Sequence, residues 1–496
     1  MLSRRTFLSS LAAFAQTRKP GKYNVLFIAI DDLKPTIGCY GDTLAITPNI
    51  DKLAARGLTM TRAYCQQAVC SPTRTSLLLG RRPDTTKIYD LQHHFRGVLP
   101  DVVTLPQHFK NNGYVTAGLS KIWHGGLEDG RSYTIPHWTP QSPGDWGSVE
   151  SATWQSRREA AVIAAGWQTP SNDQAAQKKK RKQANRPHVF ENPDVADNEL
   201  PDGKTADQAV RAIAKLKDER FFLMVGFLKP HLPFIAPKRY LDMHAKEKFS
   251  LAKFRQQPAG SPDFAGHING ELRTYKGVPE SGPIPEPLQL DLIRTYYAAA
   301  SYTDAQIGKV LDALDKNGLR ESTVVILWGD HGWHLGDHGL WHKHTNFEQA
   351  TRTPLILSVP GAKTAGRKSP GFTEYVDIFP TLTDLCGLPP STGLEGISFA
   401  PLVDNPDKPW KKAAFSQYPR GSKEYGELMG YSMRTDRYRL TLWKKRAGGA
   451  EVAAELYDYE KDPDERQNVA ATSTYANTLK DLRAQFNAGW RGALPR

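Results

Sequence analysis

Short apolar runs alternate along the chain with longer segments in which apolar residues recur at helical spacing. Four runs have the length and continuous apolar character of buried strands, at residues 23–30, 221–227, 323–328 and 353–359. Helical spacing covers residues 288–316 and 376–385, and each segment is followed within two residues by a glycine that suits a helix end. Strands that alternate with helices predict an α/β fold with a mainly parallel sheet covered on both faces.

Two parts of the chain depart from this alternation. Residues 140–200 are polar and include a basic run at 178–182, which indicates an insertion of long loops compatible with partial disorder. Towards the C-terminus, alternation predicts one strand over residues 431–443 and another over 455–459, followed by a helix over 475–490. We therefore predict a main domain at 21–410 and a smaller C-terminal α+β domain at 411–496.

Polar side chains follow three of the predicted strands. Asp31 and Asp32 come directly after the first, Asp330 and His331 come shortly after the third, and His231 follows the second. Because ligands of open α/β sheets bind at the carboxyl ends of the strands, these residues are candidates for one site. Two acids after a strand can also cap a helix, but the second pair favours a shared metal with oxygen ligands.

Composition and charge narrow the class of protein. Hydrophobic residues make up 39% and charged residues 24% of the 496 residues, as in ordinary soluble enzymes, and no apolar stretch is long enough for a membrane span. The formal net charge of +13 favours an anionic partner such as nucleic acid, anionic lipid or sulfated polysaccharide, although a solvated basic surface fits equally well. No nucleic-acid-binding motif is present, so we expect no nucleic acid partner.

The N-terminus has the pattern of an export signal. Arg4 and Arg5 precede a short, mildly apolar stretch that ends in small residues around Ala15. This pattern resembles a twin-arginine signal over residues 1–20, although an ordinary basic N-terminus would look similar. We therefore predict export to the periplasm or secretion.

One cysteine lies in a distinctive motif. Four cysteines are too few for a disulfide scaffold, and no two have the spacing of a zinc or redox motif. A single buried cysteine is usually structural, but Cys70 begins the sequence CSPTR, and Gly80 stands six residues after Arg74. This segment resembles the signature of the sulfatase family, C-x-P-x-R followed by a glycine. The other cysteines, for which a disulfide is left open, are Cys39, Cys65 and Cys386.

The resemblance extends from about residue 23 to the C-terminus and is closest to the iduronate-2-sulfatase branch of that family. The matching stretches are 30–33 (IDDL), 80–86 (GRRPDTT), 229–231 (KPH), 330–333 (DHGW), 429–432 (MGYS) and 455–457 (ELY). The resemblance implies an alkaline-phosphatase-like α/β sandwich with a mainly parallel central sheet. It also implies one calcium ion per chain and oxidation of Cys70 to formylglycine by a formylglycine-generating enzyme.

The family's functional residues match this sequence position by position. The residues that match the calcium ligands are Asp31, Asp32, Cys70, Asp330 and His331. The residues that match the catalytic groups are Cys70 as the nucleophile, Arg74 beside it, Lys121 and Lys343 for binding sulfate, His124 for taking a proton from the nucleophile, and His231 for protonating the leaving alcohol.

This set of residues suits the chemistry of a sulfate monoester. The ester is anionic and its sugar alkoxide leaves poorly, so hydrolysis requires a nucleophile, cations at the sulfuryl oxygens and an acid for the leaving oxygen. The resemblance therefore predicts hydrolysis of a sulfate ester on a sulfated polysaccharide or oligosaccharide, at the 2-O-sulfate of a uronic acid.

Some alternatives remain open at this point. A phosphomonoester or phosphonate hydrolase would share the fold, although a zinc phosphatase would have serine or threonine in place of Cys70. An inactive polysaccharide-binding relative would lack part of the catalytic set, and no position is missing. His93 and His94 differ from the iduronate-2-sulfatase pattern, which leaves the sugar in doubt. Histidine-rich tracts can bind zinc, but we interpret the following four as pocket lining: His334, His338, His342 and His344.

Overall fold

The computed structural model describes residues 22–140, 186–266 and 270–495, so the predicted leader and the basic run at 178–182 lie outside the described residues. The strands are β1 (Asn24–Ile30), β2 (Leu58–Met60), β3 (Ala63–Tyr64), β4 (Val115–Ser120), β5 (Ile135–Trp138), β6 (Phe190–Glu191), β7 (Phe221–Phe227), β8 (Phe234–Ile235), β9 (Thr323–Gly329), β10 (Arg352–Thr353), β11 (Leu355–Ser358), β12 (Lys368–Ser369), β13 (Thr373–Glu374), β14 (Ala414–Ser422), β15 (Gly426–Arg434), β16 (Tyr438–Lys445) and β17 (Glu451–Asp458).

The helices include the two that the sequence predicted. The α-helices are α1 (Pro48–Arg56), α2 (Cys70–Leu79), α3 (Pro83–Thr86), α4 (Leu105–Asn111), α5 (Pro201–Leu216), α6 (Lys238–Asp242), α7 (Glu286–Lys316), α8 (Glu348–Thr351), α9 (Ile378–Leu385), α10 (Ala400–Asp404) and α11 (Ala476–Gly492). Of these, α7 and α9 correspond to the segments with helical spacing. No helix among the described residues is long and apolar enough to cross a membrane.

An eight-stranded sheet forms the centre of the described chain. Its strand order is β12-β2-β11-β9-β1-β7-β4-β5. Strands β9, β1, β7, β4 and β5 run parallel, which confirms the predicted mainly parallel sheet. Strand β11 lies where the fourth apolar run was found, but it is antiparallel to β9 and β2. The segment between β9 and β11 remains at the end of the sheet where β9 finishes. Strand β11 therefore begins at that end and runs in the opposite direction to β9.

Both faces of this sheet are covered by helices. All seven residues of β1 are buried, which explains its uninterrupted apolar run. Phe27 packs into the core with α2, α4 and α9, whereas Ile28 packs into the core with α1, α5 and α7. The sheet is therefore the middle layer of an α/β/α sandwich, and only its strand ends can present polar groups to a ligand.

A second, antiparallel sheet lies near the C-terminus. Its strand order is β14-β15-β16-β17, and α11 packs on it through Leu482. The prediction of one strand over residues 431–443 was wrong, because this segment is divided between β15 and β16. A tight turn separates them, closed by a hydrogen bond from the Thr435 N–H to the Tyr438 carbonyl at 2.8 Å. Alternation continues through this polar turn, so it did not reveal the hairpin, and β14 was missed.

Strand β13 belongs to a small three-stranded sheet, β10-β3-β13, and buried ionic groups connect it to the C-terminal sheet. The Arg82 guanidinium donates to both oxygens of Glu374 at 2.8 and 2.9 Å, and Lys411 Nζ lies 2.8 Å from Glu374 and 2.7 Å from Asp377. The N–H of Phe415, in β14, also donates to Glu374 at 2.9 Å. Glu374 is only 1% exposed, so its carboxylate neutralises charges that water cannot reach.

We expect Glu374→Ala to lower the free energy of unfolding by about 3–5 kcal/mol, because it removes the carboxylate that pairs with the buried Arg82 guanidinium and one of the two carboxylates that contact Lys411. The change would be measured by denaturant unfolding. Glu451→Ala is a suitable control, since its pair with Arg483 is about one-third exposed and exposed pairs contribute less than about 1 kcal/mol. Equal losses in the two variants would contradict this account of the buried cluster.

Candidate active site

Four neighbouring parallel strands end at one edge of the central sheet, and a polar residue follows each of them. The strands are adjacent in the order β9, β1, β7 and β4. The residues beyond their ends are Asp330 and His331 after β9, Asp31 and Asp32 after β1, His231 after β7, and Lys121 after β4. The structure therefore places the polar residues that follow three of the apolar runs at one edge of the sheet.

The potential metal ligands converge in a buried cluster. One donor atom each from Asp31, Asp32, Cys70 and His331 lies within 4.8 Å of every other. Cys70 Sγ is 3.3 Å from Asp31 Oδ1 and 3.3 Å from His331 Nε2. His331 Nε2 also lies 3.4 Å from Asp32 Oδ1 and 3.5 Å from Asp330 Oδ1. All five side chains that the sequence suggested for the metal thus contribute to one cluster.

The orientation of the His331 ring fits a cation. Its Nδ1 lies 3.0 Å from the Gly332 carbonyl, which can only accept a hydrogen bond, so the proton is assigned to Nδ1. Burial, together with the charge of Lys343, keeps the pKa of His331 well below its usual value. The neutral ring therefore presents the lone pair of Nε2 towards Asp32 and Asp330, an arrangement that a shared cation would stabilise.

The pKa values of the three carboxyl groups also favour a bound cation. Burial, reinforced by Asp31, raises the pKa of Asp330 to about 7, and burial also raises the pKa of Asp32 well above its usual value. For Asp31, burial is outweighed by Lys121 and Arg74, which hold its pKa well below normal. A divalent cation would favour the ionised form of all three acids, and hard carboxylate oxygens suit calcium. The residues present therefore fit a calcium ion.

Cys70 is the first residue of α2, and Arg74 follows one turn later on the same face. The partial positive charge at a helix N-terminus favours negative charge at this position. Arg74 is completely buried and donates to Asp330 at 3.0 Å, to Asp31 at 3.2 Å and to the Lys121 carbonyl. The helix thus places Cys70 against the carboxylates, and Arg74 fixes the two strand ends around it.

Two lysines and a histidine provide the cationic side of the site. Lys121 Nζ lies 3.1 Å from Asp31 Oδ2, and Lys343 Nζ lies 2.9 Å from Asp32 Oδ1. The charges of both lysines act on Cys70, and both side chains are buried. His231 is also buried, with Nε2 4.0 Å from Asp32 Oδ2. Lysines on two sides of Cys70 can bind an anion that approaches its Sγ atom.

The loop that carries His231 is fixed by two buried residues that sequence reasoning did not assign. Lys229 Nζ donates to the His231 carbonyl at 2.9 Å and to the Pro233 carbonyl at 2.7 Å. Asp202 accepts hydrogen bonds from the Leu228 and Lys229 N–H groups, both at 2.8 Å. Lys229, the lysine of the KPH motif, is therefore a positioning residue for His231. Its place in that motif could have identified it from the sequence.

His124 lies near the cationic side of the site, where the charges of Lys121 and Arg74 act on it. Burial and the charge of Lys121 lower the pKa of His124 to about 3, and its Nδ1 atom is buried without a hydrogen-bond partner in the described part of the chain. The structure shows no hydrogen bond between His124 and Cys70. The expected proton transfer between these two residues therefore remains a prediction.

Glu271 is an additional acid at the site that sequence reasoning missed. Its Oε2 lies 3.1 Å from Lys343 Nζ, and its Oε1 lies 3.3 Å from His231 Nε2. It begins a short 3₁₀ turn in a polar loop, far in sequence from every apolar strand. No motif or strand end marks this position, so nothing in the sequence pointed to Glu271.

The remaining histidines are not among the converging donor groups of the described residues. His338 lines a separate cavity of about 700 Å³ together with Phe254, Arg273 and Trp341, and none of the residues assembled around Cys70 lines it. His334 bonds Thr345 at 2.9 Å, and none of the four histidines at 334–344 belongs to the converging donor groups of the described residues. The side chain of His93 is 74% exposed and lies 2.6 Å from Asp90. All four cysteines are free, which settles the open question of a disulfide.

Comparisons with known proteins agree with this geometry. Residues 23–388 match the family model described as Sulfatase, and residues 336–490 match N-sulphoglucosamine sulphohydrolase, C-terminal. The chain is 34% identical to iduronate 2-sulfatase of Mus musculus, with 93% of each chain covered.

Solved structures share the fold. A structure solved in complex with its substrate D-glucosamine-2-N,6-O-disulfate superposes with a TM-score of 0.73 at 21% identity, covering 95% of this chain and 98% of the other. The phosphonate monoester hydrolase of Agrobacterium radiobacter superposes with a TM-score of 0.71 at 22% identity, covering 94% and 95%. These structures show the alkaline-phosphatase-like fold, whereas the family model and the iduronate 2-sulfatase match establish the family. This chain belongs to the sulfatase family and is a sulfuric ester hydrolase.

Proposed function

We propose that the protein hydrolyses a sulfate monoester on a sulfated polysaccharide or oligosaccharide, at the 2-O-sulfate of a uronic acid. The observation that carries this proposal is the convergence of Cys70, the carboxylates of two strand ends and two buried lysines in one cluster. The similarity to an iduronate 2-sulfatase supports a uronic acid, and the net charge of +13 suits a polyanionic substrate.

The nucleophile in this proposal is Cys70 after oxidation to formylglycine. Burial raises the pKa of the Cys70 thiol well above its usual value, so the unmodified side chain is a protonated and weak nucleophile. As a hydrated aldehyde, residue 70 would supply one hydroxyl for attack on sulfur and a second for the later release of sulfate. A formylglycine-generating enzyme is therefore a required partner.

A calcium ion would be held by Asp31, Asp32, Asp330 and His331, with residue 70 as a further ligand. Bound there, it would supply positive charge to the sulfuryl oxygens and to the nucleophile. Lys121 and Lys343 would bind the same sulfuryl oxygens from the protein side. Their aliphatic stems are buried, so water competes little for the bound anion.

His231 is placed to protonate the leaving oxygen. Its Nδ1 lies 2.5 Å from the Leu232 carbonyl, so only Nε2 is available to a substrate. Burial and Lys343 lower the pKa of His231 to about 4, but an anion beside Nε2 favours the protonated imidazole that acid catalysis requires. On the other side of the site, His124 would accept a proton from residue 70 when sulfate is released.

The decisive experiment compares sulfate esters with phosphate and phosphonate esters. Mass spectrometry of a panel of sulfated oligosaccharides should show loss of sulfate, with the greatest rate for 2-O-sulfated uronic acids. The fold is shared with a phosphonate monoester hydrolase, so matched phosphonate and phosphate monoesters are the necessary control. Faster cleavage of the phosphonates, or no loss of sulfate from any sugar, would refute the proposal.

We expect Asp31→Asn to weaken calcium binding at least tenfold, because it removes one anionic oxygen ligand. Calcium affinity would be measured by calorimetric titration, with the metal content checked by elemental analysis. Asp129→Asn is a matched control, since Asp129 is another buried acid but pairs with Arg96 away from the cluster. Stoichiometric zinc without calcium in the wild-type protein would refute the metal assignment.

We further propose that residues 1–20 are a twin-arginine signal and that the mature protein is periplasmic or secreted. The motif at Arg4 and Arg5 supports this localisation. We also propose that the catalytic domain comprises residues 21–410 and the C-terminal α+β domain residues 411–496, a division supported by the separate antiparallel sheet that starts at Ala414.

A further inference from the structure

Glu271 contacts both Lys343 and His231, two of the residues that we expect to contact the substrate. Its two carboxylate oxygens divide between Lys343 Nζ, at 3.1 Å, and His231 Nε2, at 3.3 Å. Its side chain is 25% exposed, whereas those of Lys343 and His231 are 2% and 5% exposed. Glu271 is therefore the most exposed of these three side chains.

The atoms of Glu271 occupy positions that the reaction needs. A leaving oxygen must come within about 3 Å of the atom that donates its proton, and for His231 that atom is Nε2. A sulfuryl oxygen bound to Lys343 must approach Nζ in the same way. Glu271 places one oxygen at each of these atoms, as a sulfate ester would with its bridging oxygen and one sulfuryl oxygen.

The charge of Glu271 also matches that of the substrate. One donor atom each of Asp32, His231 and Glu271 lies within 4.8 Å of the others, so two acids lie close together beside Lys343. A sulfate monoester carries a single negative charge, as Glu271 does. Replacing the Glu271 carboxylate with the ester leaves the net charge beside Lys343 and His231 unchanged, whereas binding the ester next to Glu271 would add a further negative charge there.

We propose that Glu271 is a placeholder for the sulfate ester, which holds Lys343 and His231 in position in the empty enzyme and is displaced when substrate binds. This inference rests on the proposed function. It makes Glu271 a positioning and specificity residue. Displacing Glu271 costs free energy, because its contacts with Lys343 and His231 are lost. A ligand offsets this cost only if its own oxygens contact both residues, so sulfate esters would be selected over neutral sugars.

The test is the binding of inorganic sulfate, measured by calorimetry on the full-length protein carrying formylglycine and calcium. Glu271→Gln and Glu271→Ala remove the carboxylate that contacts both Lys343 and His231, and we expect sulfate to bind about tenfold more tightly than in the wild type. KM for an aryl sulfate should fall by a similar factor, while kcat stays within about twofold. Glu280→Gln is the matched control, because Glu280 is an exposed acid of the same loop region, paired with Arg186, and should change neither constant.

The alternative outcomes are distinct. Unchanged or weaker sulfate binding in both Glu271 variants would overturn the placeholder role, and so would a loss of kcat of about 10² or more, which would place Glu271 within the chemistry itself. Tighter sulfate binding combined with an inactive wild-type enzyme would support the placeholder and refute the proposed function. An active wild-type enzyme with unaltered sulfate affinity in the variants would support the proposed function and refute the placeholder role.

Discussion

Cys70→Ala is expected to abolish turnover, with a loss on the order of 10⁵-fold or more, the scale on which removal of a nucleophile acts in hydrolases. The expected loss follows from the position of residue 70 as well as from its role as the nucleophile. Residue 70 begins α2 and lies 3.3 Å from both Asp31 and His331, and no other cysteine belongs to the converging donor groups of the described residues. Loss of the side chain removes the attacking group while the cationic groups around it remain.

The same variant should fold normally, because Ala at this position removes only one buried sulfur atom. Cys65→Ala is the matched control: Cys65 is also buried and free, but it is not among the converging donor groups of the described residues, and its Sγ lies 3.9 Å from the Ala350 carbonyl, so turnover should persist. Peptide mass spectrometry of the wild-type protein should show the aldehyde at residue 70. Appreciable activity in Cys70→Ala, with circular dichroism unchanged, would refute the covalent mechanism.

Much of this site was predictable from the ends of apolar runs. A buried parallel strand appears in a sequence as a short apolar segment, and the residue that ends it must lie at the edge where ligands bind. The strand ends that carry Asp31, Asp330 and His231 were found on this basis, and the structure brings them together. The resemblance then supplied the residues that no periodicity marks, such as Lys121 and Lys343.

The features that could not be predicted from the sequence depend on contacts between residues that are distant in the chain. Glu271 reaches the site from a polar loop with no apolar periodicity, so only the folded chain shows that it contacts Lys343 and His231. The hairpin within residues 431–443 was missed because the alternation of apolar and polar residues continues through its turn. The direction of β11 was missed because an apolar run does not reveal on which edge of the sheet it begins.

The last expected result separates acid catalysis from substrate binding at His231. This residue is held at two points, since Nδ1 bonds the Leu232 carbonyl and Lys229 fixes the loop backbone, while Nε2 faces the site. A rigidly held acid contributes most when the leaving group is poor. A sugar alkoxide requires a proton as it leaves, whereas a nitrophenolate hardly does.

His231→Ala should therefore slow desulfation of a sugar by about 10²- to 10⁴-fold and slow an activated aryl sulfate much less. Lys121→Ala and Lys343→Ala should instead impair both substrates alike, because both present the same sulfuryl oxygens. His244→Ala is the matched control, a buried histidine that bonds Ser301 away from the site and should leave both rates unchanged. If His231→Ala slowed the two substrates equally, His231 would be a sulfate-binding group, and Lys343 and His344 would be the next candidates for the acid.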